Sequence, residues 1–392
     1  MPRSMSYPGV YVEEIPDGVR SIEGVATSIA LFAGWTPRGP DDAARRVDSG
    51  ADFEREFGGL DSRSLLGYAV QQFFANGGRT AWVMRIAGAR GRALAANGAG
   101  FRRALLRRFG PGSETDRIDL YNLVCVPGLT DPATLATLQA ECRRRRAFLI
   151  IDADPAATVE HMASDGTLGL TGPDASYSAL YFPWVQSADP LRSGAVRAFP
   201  PCGFVAGLMA RTDDSRGVWK APAGREATLT GAASLAINLG DAEQERLNRR
   251  AINGLRPFAG TGTVVWGART LHGQDERASE WKYIPVRRLA LLIEESVYRG
   301  TRWTVFEPNG EPLWAQLRLN VGAFMNTLFR QGAFQGRSDR DTYFVKCDHE
   351  TTTRDDIDNG LVNIVIGFAP LKPAEFVILR IRQLAGHPRD AA

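Results

Sequence analysis

At 392 residues the chain is too long for one small module and predicts two or three packed units, at roughly 100–200 residues each. Hydrophobic residues at 44% and charged residues at 23% exclude wholesale disorder. A net charge of +3 excludes a protein whose main work is neutralising phosphates or anionic lipid, so nucleic acid is not an expected partner.

Residues 1–24 hold one β-prone run, Val10-Tyr11-Val12-Glu13-Glu14-Ile15, bracketed by Pro8-Gly9 and by Pro16-Asp17-Gly18, with no hairpin mate. Ala26–Trp35 then reads as a buried strand, Ser64–Ala75 as a helix stopped by Asn76-Gly77-Gly78, and Thr80–Ile86 as a second strand, which makes a small α/β unit. Residues 87–117, rich in Gly, Ala and Arg, predict a long loop or a boundary.

From Ile118 the pattern changes to continuous apolar runs separated by helices, as for parallel strands buried on both faces. Ile118–Val126 is the first such strand, Asp131-Pro132 opens a helix to about Arg145, and Ala147–Asp152 is the second strand. Asp154-Pro155 repeats the helix-start signal; Tyr177–Val185 is a third strand, Pro201–Ala210 and Asp241–Ala251 are helices, and Gly262–Ala268 is a further strand. Two long helices follow, one carrying Leu289, Leu292, Ile293 and Val297, the other running from Glu311-Pro312 to about Gln331. Strands at Thr342–Cys347, Leu361–Ala369 and Glu375–Arg382 close the chain, the last cut off from a hairpin by Pro370 and Pro373. Both ends are thus strands in need of partners, and two readings are open: they pair within the molecule, or each copy donates an arm to a neighbour.

Chemistry-bearing motifs are scarce. No G-x-x-x-x-G-K-[ST] occurs, and Gly260-Thr261-Gly262 stops short of a dinucleotide fingerprint because Val265 stands at the third glycine position. His161, His272, His349 and His387 are isolated, and Cys125, Cys142, Cys202 and Cys347 form no Cys-x-x-Cys, so no metal, cofactor or disulfide framework is expected. No G-x-S-x-G elbow is present, which argues against a hidden triad, although an α/β hydrolase remains the alternative reading. Arg143-Arg144-Arg145-Arg146 predicts a solvated helix C-terminus, and Glu294-Glu295 and Asp355-Asp356 predict solvated acids that could also pair with arginines across subunits. Without a secretory signal or an apolar run of about 18 residues, the expectation is a protein made in the cytosol that does not insert in membranes.

The opening Tyr7-Pro8-Gly9-Val10-Tyr11-Val12-Glu13-Glu14-Ile15-Pro16, with Gly34-Trp35-Thr36-Pro37-Arg38-Gly39-Pro40, closely resembles the start of phage-type tail sheath proteins. The resemblance recurs at Phe74-Ala75-Asn76-Gly77-Gly78, at Gly217–Gly224, through Lys282–Gln331 including Phe306-Glu307-Pro308-Asn309, and at Pro373-Ala374-Glu375-Phe376-Val377. It implies a non-enzymatic subunit of a contractile tail, R-type pyocin or contractile injection system, stacked as hexameric rings around an inner tube and contracting to drive that tube through an envelope. It also implies a central domain of subtilisin-like fold without peptidase activity, since fold does not confer chemistry. Partners implied are other copies, the inner tube, baseplate and terminator proteins and, in some systems, a sheath-recycling ATPase, with assembly in the bacterial cytoplasm into a phage tail or released particle.

On this reading the chain divides into an N-terminal arm (1–24), a small α/β unit (25–90), a loop or boundary (91–117), a central subtilisin-like domain (118–272), an inner sheath domain (273–370) and a C-terminal arm (371–392). The inter-subunit strands are Val10, Tyr11, Val12, Glu13, Glu14 and Ile15, and Phe376, Val377, Ile378, Leu379, Arg380 and Ile381. Joints fall at Pro16, Asp17 and Gly18 and at Pro370 and Pro373, and Arg337, Arg340 and Lys346 face the tube.

Overall fold

The apolar runs of the first two-thirds of the chain assemble into one twisted sheet. The computed structural model describes residues 21–41 and 43–375. Its strands are β1 (Ala30–Gly34), β2 (Arg45–Val47), β3 (Ala81–Arg85), β4 (Leu123–Cys125), β5 (Phe148–Asp152) and β6 (Ser178–Phe182), then β7 (Val185–Asp189), β8 (Ala195–Phe199), β9 (Ser234–Leu235), β10 (Ile252–Phe258), β11 (Gly262–Val265), β12 (Tyr343–Lys346) and β13 (Val365–Phe368). Eight of them form the main sheet in the order β11-β10-β6-β5-β4-β1-β3-β2. The six inner strands run parallel and the two edges, β11 and β2, are antiparallel.

Helices cover both faces, as a sheet apolar on both sides requires. They are α1 (Gly50–Phe57), α2 (Leu66–Ala75), α3 (Ala99–Leu106), α4 (Pro132–Arg145), α5 (Val159–Asp165), α6 (Cys202–Arg216) and α7 (Asp241–Arg249), with α8 (Ile284–Gly300), α9 (Glu311–Arg330), α10 (Asp339–Thr342) and α11 (Arg354–Asp358) beyond the sheet. Along β1 the faces alternate: Ala30 and Phe32 pack with α2 and α6, Leu31 and Ala33 with α3 and α4. Helix α6 is buried over Cys202–Ala210 and lies so close to α2 that a Cβ on Gly203 would come within 2.4 Å of the Ala69 carbonyl oxygen.

Several expectations are corrected here. Residues 25–90 are not a separate α/β unit, because β1, β2 and β3 join the sheet of the 118–272 segment through the β1–β4 pairing. The 91–117 boundary contains α3, whose Phe101 and Leu105 enter the core, so its arginines mask an amphipathic helix. Asp154-Pro155 starts no helix; Thr158 caps α5 by accepting the His161 amide at 3.2 Å. By contrast Asp131 caps α4 as expected, its side chain taking the Thr134 amide at 3.0 Å.

The C-terminal part packs α8 against α9 through Leu289, Leu292, Ile293, Val321, Phe324, Met325 and Leu328, and lays the β12–β13 ribbon on them. A buried ion pair joins it to the sheet layers. Arg288 on α8 donates to both oxygens of Asp213 on α6, at 2.9 and 2.6 Å, and to the Thr27 carbonyl at 2.9 Å, while the Thr27 hydroxyl donates to Asp213 at 2.6 Å. Burial pushes the Asp213 carboxyl up, and Arg288 opposes that shift.

Candidate functional site: an assembly surface

Nine large apolar residues are exposed among the described residues, and seven of them, Tyr298, Val305, Phe306, Leu319, Phe344, Leu361 and Val365, lie in the C-terminal part. Apolar surface concentrated in this way marks contact with another macromolecule more readily than a ligand pocket. Phe306 is wholly exposed and sits at φ 73, a left-handed conformation that is costly for a bulky side chain. Its loop is braced by Asn309, which donates to the Leu361 carbonyl at 2.9 Å and accepts the Trp314 indole N–H at 2.9 Å.

The β12–β13 ribbon is antiparallel, with Tyr343 opposite Phe368 and Lys346 opposite Val365. Alternation turns Tyr343 and Val345 onto the α8–α9 core and leaves Phe344 and Lys346 exposed. The Phe344 ring lies over Gly367, where a Cβ would come within 2.2 Å of it, so the outer face carries a flat aromatic surface. Among the described residues each ribbon strand pairs only with the other. An isolated two-stranded ribbon is marginal in water, and its open edges are pairing templates.

The N-terminal strand residues Val10–Ile15, the joint Pro16-Asp17-Gly18 and the C-terminal strand residues Phe376–Ile381 lie outside the described residues. At the expected C-terminal joint, Pro370 makes a bridge with Phe334, and Glu375, two residues past Pro373, is held by Arg269. Arg337, Arg340 and Lys346 are all exposed around the ribbon; Lys346 lies 3.9 Å from Glu350, and neither Arg337 nor Arg340 has an ion-pair partner among the described residues.

Sequence reasoning missed the charged network behind this surface. Glu295 is buried, not solvated, and pairs with Arg146 at 3.0 Å and Arg299 at 2.6 Å. The arginine run is likewise neutralised within the chain: Arg143 meets Asp174, Arg144 meets Glu141 and Asp116, and Arg145 meets Asp116. Arg269 is 1% exposed; burial works against its charge, but the bonds it donates to Glu375 and Asp275 hold its pKa above the ordinary value. Only the run Pro373-Ala374-Glu375 hinted at this site.

The hydrolase reading finds one suggestive contact, His272 Nδ1 at 2.6 Å from Ser279 Oγ. That oxygen also accepts the Trp281 amide at 3.1 Å, and burial with Arg277 and Arg287 pushes the imidazole pKa down. Cations beside the ring disfavour the imidazolium that a carboxylate would stabilise in a triad.

Comparison with known proteins decides the class. The sequence matches the phage tail sheath protein central domain over residues 119–271 and the phage tail sheath C-terminal domain over residues 276–383. The chain belongs to the phage tail sheath family. This sheath-family chain is 31% identical to the PVC sheath of an extracellular contractile injection system in its contracted state, covering 97% of this chain and 99% of that one with a TM-score of 0.78. The helical sheath of the anti-feeding prophage in its contracted state is 29% identical, with 97% and 99% coverage and a TM-score of 0.76. The tail sheath protein of Vibrio phage KVP40 is 28% identical over 184 residues, 47% of this chain. The chain spans about a quarter of that relative's length. The expected sheath resemblance and mixed α/β class therefore hold, and the hydrolase alternative has no support among these relatives.

Proposed function

We propose that the chain is the structural subunit of a contractile sheath whose copies stack as hexameric rings around an inner tube and contract to drive it through an envelope. In this reading the strands at 10–15 and 376–381 complete the β12–β13 ribbon of other copies, weaving the lattice together. The observation that carries it is that ribbon, two strands with open edges beside the exposed Phe344, in a chain whose sequence holds a partnerless β-run at each end. Each backbone bond made on pairing contributes about 0.5–1.5 kcal/mol net.

The middle region is read as a non-catalytic subtilisin-like domain, and residues 273–370 as the inner domain. Arg337, Arg340 and Lys346 present positive charge to an acidic tube surface, in contacts weak and salt-sensitive enough to release on contraction. Baseplate attachment is supported by a neighbour 28% identical that was solved in a sixfold-symmetrised baseplate of the anti-feeding prophage. Assembly takes place in the bacterial cytoplasm, with tube and terminator proteins as partners and, in some systems, a recycling ATPase. A particle with two lattices that differ little in energy per subunit needs no nucleotide site to store its work. Deleting residues 1–18 tests the reading: the subunit should fold and melt as the parent does but form no sheaths in negative-stain micrographs, and normal sheaths from the truncation would refute it.

A further inference from the structure

We propose that Arg269 and Glu375 form the root of the C-terminal arm, so that load passed along the arm between copies enters the central sheet at Arg269 and not at the β12–β13 ribbon. The inference rests on the arm-exchange reading above and names the residue pair through which it acts.

Arg269 lies just past β11, and its backbone is fastened to the main sheet. Asn253 on β10, fully buried, accepts the Arg269 amide at 2.8 Å and donates to its carbonyl at 2.8 Å. All three guanidinium nitrogens donate to protein. Nε and Nη2 hold the two oxygens of Glu375 at 2.7 Å each, and Nη1 donates to the Asn248 carbonyl at 2.7 Å, to Asp275 at 2.8 Å and to the Gly273 carbonyl at 3.3 Å. Tyr283 adds its hydroxyl to Glu375 at 3.2 Å. A two-point fork of this kind sets direction as well as position, which one lysine could not do.

Two carboxylates, Asp275 and Glu375, balance two cations, Arg269 and Lys282, in this arrangement. Asp275 is shared, accepting Arg269 at 2.8 Å and Lys282 at 2.9 Å, whereas Glu375 takes two of the guanidinium's bonds. Glu375 thus helps keep Arg269 charged in the interior, and the same fork brings residues 371–375 from the ribbon back to the main sheet. Those five residues line an open groove of about 1080 Å³ together with Lys220, Trp266 and Gln331. In sequence, Glu375 immediately precedes the arm residues Phe376–Ile381. A rooted arm orders fewer residues on pairing with a neighbour, and each residue spared backbone ordering strengthens the pairing by about tenfold.

Two full-length variants and one truncation test this: Glu375→Ala, Glu375→Gln, and deletion of residues 376–392. Two readouts are needed, the melting temperature of the unassembled subunit and the number of sheaths per amount of folded protein in negative-stain micrographs. Glu375→Ala should lower the melting temperature by roughly 5 °C, less than loss of a sole buried partner because Arg269 keeps the shared Asp275 and two carbonyls, yet form sheaths at least ~10-fold less often per amount of folded protein. Glu375→Gln, which keeps the shape and one strong acceptor, should fall between, and the deletion should form none. Parental assembly by Glu375→Ala beside a defective deletion overturns the root and leaves arm exchange standing. Parental assembly by the deletion overturns both. A loss of melting temperature in step with the loss of sheaths makes Glu375 a fold residue and overturns the proposal; if Glu375→Ala does not fold, Glu375→Gln carries the same comparison.

Discussion

Replacing Asp213 by alanine should be the most damaging single polar substitution in the body of the subunit. Arg288 and Asp213 are 3% and 5% exposed, and the carboxylate takes two of the guanidinium's bonds, at 2.9 and 2.6 Å. With Asp213 gone the buried cation keeps only the Thr27 carbonyl, and the Thr27 hydroxyl loses its acceptor. Stranding one member of a buried pair costs about 3–5 kcal/mol, whereas replacing both by apolar side chains of similar size is near neutral. At about 2–4 °C per kcal/mol for a domain of this size, Asp213→Ala should lower the melting temperature by roughly 10 °C. Thermal melts followed by circular dichroism, at equal protein concentration and on unassembled subunits, would measure it. The double variant Asp213→Leu/Arg288→Met should recover most of the loss. A drop below about 1 kcal/mol in the single variant, or a double variant no better than the single, would refute the reasoning.

Three further outcomes are expected. Gly203→Ala should destabilise by about 1–3 kcal/mol in chemical denaturation, because the new methyl meets the α2 backbone with no side chain to give way; a neutral effect would show that α2 and α6 can part. Asp152, which accepts the Gly128 amide at 3.0 Å and the Cys202 amide at 2.8 Å, has its carboxyl pushed up to about 6 by burial. The folded chain then binds that proton more tightly than the unfolded chain, so the stabilisation is full below about pH 4 and is lost as pH rises through 6. The stability of the parent relative to Asp152→Asn should fall by up to about 3 kcal/mol from pH 4 to 7, and a pH-independent difference would contradict this. Phe306→Gly should leave the subunit as stable or up to about 1 kcal/mol more stable by relieving the left-handed strain, while sheath yield drops; a destabilised subunit that assembles normally would show the ring to be a core residue.

What could be read from residues alone followed the physics of local pattern. The runs Ile118–Val126 and Ala147–Asp152 betray β4 and β5 because strands covered on both faces carry no polar alternation, and Asp131-Pro132 marks α4 because cap and helix share four residues. β2 hid because Arg45-Arg46 make a three-residue charged edge, a device that blunts pairing and leaves no apolar signature. Helix α3 hid behind Arg102 and Arg103, and its two core residues became significant only once a sheet face was there to receive them. The continuity of the sheet across residue 91 depended on a pairing between β1 and β4, and nothing local encodes a parallel neighbour. The terminal β-runs stand out in the sequence but lie outside the described residues, whereas the Arg269–Glu375 pair was illegible, since its members stand 106 residues apart and one arginine among so many gives no sign of being buried.

A high-resolution reconstruction of the assembled sheath tests the central claim most directly. The account predicts continuous density joining residues 10–15 and 376–381 of one copy to ribbon edges belonging to others. Density in which both segments pair with the copy that carries them, neighbours meeting through side chains alone, would contradict it.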